Sequence, residues 1–169
     1  GNWLYRRWKK HEASLVESAD HIIVLTHAAK REIEGWAAYR GVPISVIPCC
    51  ADFNIFNVAE PPAAVAAKQR LGIGAEDPVL GYLGSTGTVY MIGDHLRLFA
   101  AIKRRDPRAK AVFIGRNQLA EIQSAAANLG ISLASDDLIT VSAERTKLPF
   151  WLGAVDVATC FIIPTGSSK

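Results

Sequence analysis

The chain has 169 residues, of which 50% are hydrophobic and 21% charged, a composition typical of a folded globular protein with one good core. The formal net charge is only +3, and neither basic run, residues 6–10 or 103–110, has the pattern of aromatic and turn residues used by nucleic-acid binders. No apolar stretch approaches the ~20 residues that span a bilayer, and no secretory h-region occurs, so we expect a cytoplasmic protein without a nucleic-acid partner.

Trp3–Ser18 begins the chain as a basic amphipathic helix. Its tryptophans and cations suit packing against another part of the protein, or peripheral contact with the anionic inner face of a membrane. A β-branched strand follows at residues 21–25, and Thr26 is placed to cap a second helix that ends near Gly41. A second apolar strand is predicted at residues 44–47, between two prolines.

Residues 48–60 show little periodicity and contain two of the three cysteines, Cys49 and Cys50; the third is Cys160. Their spacing is that of neither a disulfide scaffold nor a metal site. Adjacent cysteines in an extended segment point to opposite sides, so these two are not expected to bridge. We interpret all three as small buried hydrophobic residues, with a redox or metal role as the alternative. We expect no metal and no cofactor.

From Pro61 onward, helices and apolar strands alternate strictly. The predicted helices are residues 63–73, 92–105, 119–129 and 148–154, and the predicted strands are residues 79–83, 111–114, 138–141 and 155–163. Apolar strands separated by amphipathic helices are typical of a parallel sheet covered on both faces. The fold class is therefore α/β, a doubly wound parallel sheet. Because no helix follows the last strand, we expect a truncated chain.

Residues 84–88 (GSTGT) lie between a strand and a helix, at the edge of the sheet where doubly wound proteins bind ligands. Glycines there let backbone N–H groups approach an anion, whereas a simple tight turn is the alternative. The segment lacks a P-loop lysine, and Gly81, Gly84 and Gly87 do not form the GxGxxG motif. These absences argue against NAD, and NADP, with its extra phosphate on Arg116, stays an alternative.

Other polar residues have simpler interpretations. Arg116 suits bidentate phosphate contact or is a solvated arginine, and Ser142 suits a helix cap. The histidines are scattered, and no nucleophile elbow or zinc-protease motif occurs. Asp136 and Asp137 are interpreted as a polar turn rather than an acid/base pair, and Asp156 as a structural residue.

The order of motifs resembles one known family. Four segments carry the similarity, in chain order: ADHIIVLTHAAKREI, SVIPCCADFNIF with Asp52 and Phe56, GYLG, and LGAVDVATCFI. They are similar to the interdomain hinge and donor-domain motifs of nucleotide-sugar glycosyltransferases with the GT-B fold, particularly the family-4-like retaining enzymes. The resemblance covers nearly the whole chain. It implies a Rossmann-like half of a GT-B protein, a nucleotide-sugar donor and a glycan or lipid-linked acceptor.

The resemblance also implies an organisation. Residues 1–60 would be the end of an acceptor-side domain with its interdomain connection, and residues 61–169 the first half of a donor-binding domain. The donor would lie against Gly84, Ser85, Thr86, Gly87, Thr88, Arg116, Val141 and Ser142. Where the family places cations to neutralise the diphosphate, this chain has Ser85 and Val89 or Tyr90. The family's paired glutamates would follow Lys169, so we expect this chain alone to be inactive. A GT-B-like domain that binds a nucleotide or a partner without catalysis is the alternative.

Overall fold

A computed structural model describes residues 3–86, 89–115 and 119–164. The chain divides into two compact units, Gly1–Asp52 and Phe53–Lys169. None of the helices within the described residues is both long and apolar enough to cross a membrane.

Over its described residues the first unit contains four elements: α1 (Trp3–Ser18), β1 (Ile22–Val24), α2 (His27–Glu34) and β2 (Ile44–Val46). The two strands pair in parallel, with Ile22 opposite Ile44. The predicted cap of α2 is confirmed, because the Thr26 hydroxyl accepts a hydrogen bond of 3.0 Å from the Ala29 N–H. The predicted end of α2 near Gly41 is wrong: the helix ends at Glu34, where the Gly35 N–H turns back to the Glu32 carbonyl. Glycine favours such an end because it lowers helix propensity.

The second unit forms one parallel sheet in the order β5-β4-β3-β6. Its strands are β3 (Val79–Leu83), β4 (Lys110–Ile114), β5 (Leu138–Val141) and β6 (Val157–Ala158). Its α-helices are α3 (Pro61–Arg70), α4 (Ile92–Arg105), α5 (Leu119–Asn128) and α6 (Leu148–Leu152), the last preceded by a 3₁₀ turn at Arg145–Lys147. The sequence therefore predicted the order and type of these elements correctly.

Apolar side chains cover both faces of this sheet, which confirms the doubly wound class. On one face Leu80, Tyr82 and Phe113 pack against Leu96 and Phe99 of α4 and against α5. On the other face the alternate strand residues pack with α6 and the segment after α3: Val79, Val112, Ile114, Val141, Ile73 and Trp151. Two-sided burial is what continuous apolar strands require.

Two partly buried ion pairs connect the sheet to its surroundings. Lys68 of α3 donates to Asp156 at 2.9 Å, and the same carboxylate accepts from the Val79 N–H at 2.8 Å. Asp137 accepts from Lys103 and, at 2.8 Å, from the Ala134 N–H. Burial alone would raise the pKa of Asp137, but these hydrogen bonds hold it below its ordinary value. Asp136 pairs with Lys110 at 2.7 Å. Asp136, Asp137 and Asp156 are thus held in structural contacts.

The last predicted strand is much shorter than expected. β6 contains only Val157 and Ala158, and its ladder ends where the Thr159 N–H donates to the Gly81 carbonyl. The chain then turns to meet the residues that precede α4, in an isolated antiparallel bridge between Tyr90 and Ile162. An apolar run alone does not distinguish one partner strand from another, so the sequence merged both segments.

The interpretation of the cysteines as buried is also wrong. Cys49, Cys50 and Cys160 are all exposed free thiols. Each lies in a segment outside helices and strands, where a small apolar side chain has no sheet or helix face to pack against. In the part of the chain that the structure describes, no three His, Cys, Asp or Glu side chains are grouped to hold a metal ion.

Candidate functional site

The candidate site is the edge of the second unit's sheet at the carboxyl ends of its strands. Hydrogen bonds join the backbone there from strand to strand. The Gly84 N–H donates to the Ile114 carbonyl at 3.0 Å, and the Gly115 N–H donates to the Val141 carbonyl at 2.8 Å. The loops after β3, β4 and β5 therefore begin in fixed register.

Two glycines shape this edge, each for a steric reason. Gly84 has φ of 151°, a conformation that side chains disfavour. At Gly115 a Cβ atom would lie 2.4 Å from the Gly84 carbonyl oxygen, far closer than two such atoms can approach. Any side chain at residue 115 would push the loop after β3 away. Gly115 is therefore needed for the observed position of Gly84.

Tyr82 supports the loop after β3 from below. Its hydroxyl donates a hydrogen bond of 2.7 Å to the Ser85 carbonyl. Burial raises the pKa of Tyr82 to about 12, so the phenol stays protonated and remains a donor at neutral pH. The N–H groups of Ser85 and Thr86 have no hydrogen-bond acceptor among the described residues. Two backbone donors are thus presented at a strand end, where an anion is commonly held.

One contact weakens the case for a strongly anionic ligand. The Thr86 hydroxyl donates to the carboxylate of Glu121, in the first turn of α5. An acidic side chain therefore lies beside the loop. The described residues of the loops after β3 and β6, 84–86, 89–91 and 159–164, include no lysine or arginine. Charge neutralisation at this edge must come from backbone dipoles or from residues elsewhere.

The segment after β6 forms another wall of the edge. The Met91 N–H donates to the Phe161 carbonyl at 2.9 Å, and the Ile163 N–H donates to the Val89 carbonyl at 3.0 Å. Residues 159–163 and 89–91 therefore run side by side. They join the chain after β6 to the start of α4, next to the loop after β3.

A buried histidine lies under these loops. His95, in the first turn of α4, is 1% exposed, and its Nδ1 lies 2.6 Å from the Thr159 hydroxyl. The ring is in edge contact with Tyr82 and Phe113, with ring centroids 5.5 and 5.0 Å away. Burial lowers the pKa of His95 to about 4, so the imidazole is neutral at physiological pH.

The structure describes only some of the predicted site residues. It brings Gly84, Ser85 and Thr86 to one strand end and Val141 and Ser142 to another, with β4 between them. Gly87, Thr88 and Arg116 lie outside the described residues. Ser142 does not cap the following turn, because Glu144 occupies the cap position of the 3₁₀ segment, with no side-chain hydrogen bond there.

Sequence reasoning missed the supporting residues Tyr82, His95, Glu121 and Thr159. One signal for His95 was present: with Ile92, Leu96 and Phe99 it falls on the buried face of α4 by helical spacing. For Tyr82 the signal was its place inside the apolar strand VLGYL, where a tyrosine is expected to be buried. The Glu121 and Thr159 contacts carry no such signal, because each joins residues 35 or 64 positions apart.

Comparison with known proteins defines the fold. No protein-family model matches this chain, and no curated protein sequence does. Solved structures match well, and those named below share the GT-B glycosyltransferase fold. This chain therefore has the fold of part of a GT-B glycosyltransferase.

Three of these structures show the extent of the likeness. Anabaena Alr3699/HepE, in complex with UDP-glucose, matches with a TM-score of 0.66 and 19% identity over 90% of this chain and 41% of its own. WaaG, a glycosyltransferase involved in lipopolysaccharide biosynthesis, matches with a TM-score of 0.70 and 14% identity over 93% of this chain and 42% of its own. A variant of S. aureus TarM, in a complex that includes UDP, matches with a TM-score of 0.62 and 12% identity over 91% and 27%. The chain thus spans about two fifths, or less, of their lengths.

Proposed function

We propose that the chain is part of a glycosyltransferase that uses a nucleotide-sugar donor, and that its second unit carries the first loops of the donor site. The observation that supports this most is the strand edge where Gly84 and Gly115 meet and where the Ser85 and Thr86 N–H groups have no acceptor among the described residues. The bound UDP-glucose in the HepE structure, on a shared fold, indicates the class of ligand.

In this proposal the donor diphosphate accepts hydrogen bonds from the backbone after β3. Such donors are pre-aligned, so they stabilise negative charge without reorganising when the sugar leaves. In the same proposal Gly87 and Thr88 complete the phosphate side, and Arg116 lies with Val141 and Ser142 nearer the nucleoside. Residues 1–60 belong to the acceptor side and its connection, and residues 61–169 to the donor side.

The proposal also covers what the resemblance implies for the whole protein. The sugar is transferred with retention of configuration to a glycan or a lipid-linked acceptor. Catalysis of this kind needs both domains to enclose the reacting groups. Because the chain spans about two fifths of the length of HepE and WaaG, we propose that it binds the donor but does not transfer the sugar.

Titration calorimetry on the 169-residue chain tests donor binding, with UDP, GDP and ADP and their sugar forms as ligands. We expect one nucleotide class to bind. Gly115→Ala places a Cβ against the Gly84 carbonyl and should weaken that binding by roughly tenfold to a hundredfold, the worth of one or two charge-assisted hydrogen bonds. Gly93→Ala is the matched control, since its Cβ would meet only an ordinary contact at 3.4 Å. A wild-type chain that binds no nucleotide would contradict the proposal.

A second candidate is a domain that binds a nucleotide without catalysis. The contact of Glu121 with Thr86 and the absence of cations from the described loop residues favour it. Donor turnover separates the two candidates: the whole protein, incubated with the nucleotide sugar that binds, should release nucleotide if it is a transferase. Binding without release would favour the second candidate.

Peripheral membrane contact is also part of the proposal. Trp3 and Trp8 of α1 are 66% and 72% exposed, beside Arg6, Arg7 and Lys10. Such a helix binds anionic lipid through its cations and apolar side chains together. Cosedimentation with vesicles of phosphatidylglycerol should retain the chain, vesicles of phosphatidylcholine alone should not, and equal retention by both would refute this part.

A further inference from the structure

One polar contact in the second unit is not explained by packing. His95 and Thr159 are 64 positions apart, yet the imidazole Nδ1 and the hydroxyl oxygen lie 2.6 Å from each other. The His95 Nε2 atom is buried and has no hydrogen-bond partner among the described residues. A buried polar atom without a partner destabilises a core. A leucine or phenylalanine would fill an apolar position among Tyr82 and Phe113 without that cost.

The contact joins two elements at a particular place. His95 lies in the first turn of α4, and its backbone N–H donates to the Met91 carbonyl. Thr159 is the residue at which the chain leaves its ladder with β3, donating its N–H to the Gly81 carbonyl. From Thr159 onward the chain pairs instead with residues 89–91. The side-chain hydrogen bond therefore lies at the point where the chain changes partner.

Apolar contacts cannot fix such a point closely, because they depend little on direction. A hydrogen bond does depend on direction, and it holds Thr159 at one position along the axis of α4. Two backbone hydrogen bonds follow from that position, donated by the Met91 and Ile163 N–H groups, and together they form the Tyr90–Ile162 bridge. Tyr82, which contacts the His95 ring, also holds the Ser85 carbonyl. The pair therefore contacts Tyr82, one support of the loop after β3, and lies at the start of the segment after β6.

We propose that the Thr159–His95 hydrogen bond is a positioning element of the donor site. It sets where residues 159–163 meet residues 89–91, and through Tyr82 it holds the loop at residues 84–86 in place for the diphosphate. Its bearing on ligand binding rests on the proposed nucleotide-sugar function. In this proposal both act as positioning residues rather than catalytic ones, because they work through the backbone and Tyr82 rather than by contact with the diphosphate.

Thr159→Val tests the proposal, because valine keeps the shape of threonine and removes the hydroxyl. Thr159→Ser keeps the hydroxyl, and Thr140→Val makes the same chemical change in β5 of the same sheet. The first readout is hydrogen exchange of the Met91 and Ile163 amides in the 169-residue chain. The second is the UDP dissociation constant of each variant.

Thr159→Val should speed exchange at Met91 and Ile163 by about tenfold and weaken UDP binding by about tenfold, whereas Thr159→Ser and Thr140→Val should leave both close to wild type. Unchanged exchange at these amides in Thr159→Val overturns the proposal, as does faster exchange with unchanged UDP affinity. A wild-type chain that binds neither UDP nor another nucleotide contradicts the proposed function alone, and the exchange rates then still decide whether the pair positions these segments.

A measurement on the unaltered chain guards against a variant that fails to fold. Nitrogen-15 spectra of His95 should show one neutral tautomer, held by the hydroxyl, from pH 8 to pH 6. A mixture of the two tautomers would show that the hydrogen bond does not persist, and it would overturn the proposal.

Discussion

The two units of this chain have the same alternation of strand and helix but very different burial. In the second unit Leu96, Phe99 and Val112 have no exposed surface. Among the described residues of the first unit, the buried hydrophobic ones are Val16 and Val24, each at 8% exposure, whereas Ile23 and Leu25 are more than half exposed. The difference shows that an apolar pattern predicts which face of an element is hydrophobic, but not whether that face is covered.

The number of elements around each sheet explains the difference. β3 and β4 have neighbouring strands on both edges and helices on both faces, so their apolar side chains, except that of Leu83, are buried. β1 and β2 form a sheet of two strands, a size that is marginal by itself. The exposed apolar residues of the first unit therefore contribute little to its own stability.

The largest expected loss of stability comes from truncating a core side chain of the second unit. Phe99→Ala should lower the free energy of unfolding of the second unit by about 3–5 kcal/mol, since it leaves a cavity in a dense core. Trp8→Ala, which truncates an exposed side chain of similar or larger size, should change stability by less than about 0.5 kcal/mol. Urea denaturation followed by circular dichroism measures both. Equal losses in the two variants would break the contrast between the units.

We expect mild acid to destabilise the second unit through the buried His95. The folded-state pKa of His95 is about 4, below its ordinary value of 6.5. Between these two values the unfolded chain binds a proton at this residue and the folded chain does not. Between pH 7 and pH 5 the stability should therefore fall by about 2 kcal/mol. Amide exchange of β3 and β4 measures this loss, and His95→Leu should remove most of the pH dependence. An equally steep pH dependence in His95→Leu would assign the effect to another group.

A smaller effect is expected at the helix cap of the first unit. Thr26→Ala removes the acceptor for the Ala29 N–H and should destabilise α2 by about 1 kcal/mol. Thr26→Ser keeps an acceptor and should be close to neutral. Amide exchange within α2 measures the change. If exchange of β1 rises by the same factor as that of α2, the first unit opens as one body rather than element by element.

The candidate site was only partly predictable, for reasons that particular residues show. Gly84 and Ser85 could be placed at a strand end because the apolar run before them and the helix after them were plain in the sequence. The position of Gly115 against the Gly84 carbonyl could not be predicted, because it depends on the pairing of β3 with β4. Ser142 was expected to cap a helix, but the turn begins two residues later.

The second unit also shows why the end of the chain was misjudged. Residues 155–163 form an apolar run, and the pattern alone predicts one strand. Lys68 and the Val79 N–H bind Asp156 at its start, and Thr159 meets His95 at the point where pairing with β3 stops. These contacts come from distant parts of the chain, which no local pattern contains.

By itself the sequence determined the doubly wound class, the order of elements in the second unit and the strand edge that would carry a ligand, because hydrophobic periodicity and glycine placement act over a few neighbouring residues. Only the tertiary structure decided which apolar faces are covered, which glycines touch and how His95 and Thr159 fix the loops. Those features depend on contacts between residues far apart along the chain, and their energies appear only when the strands and helices pack.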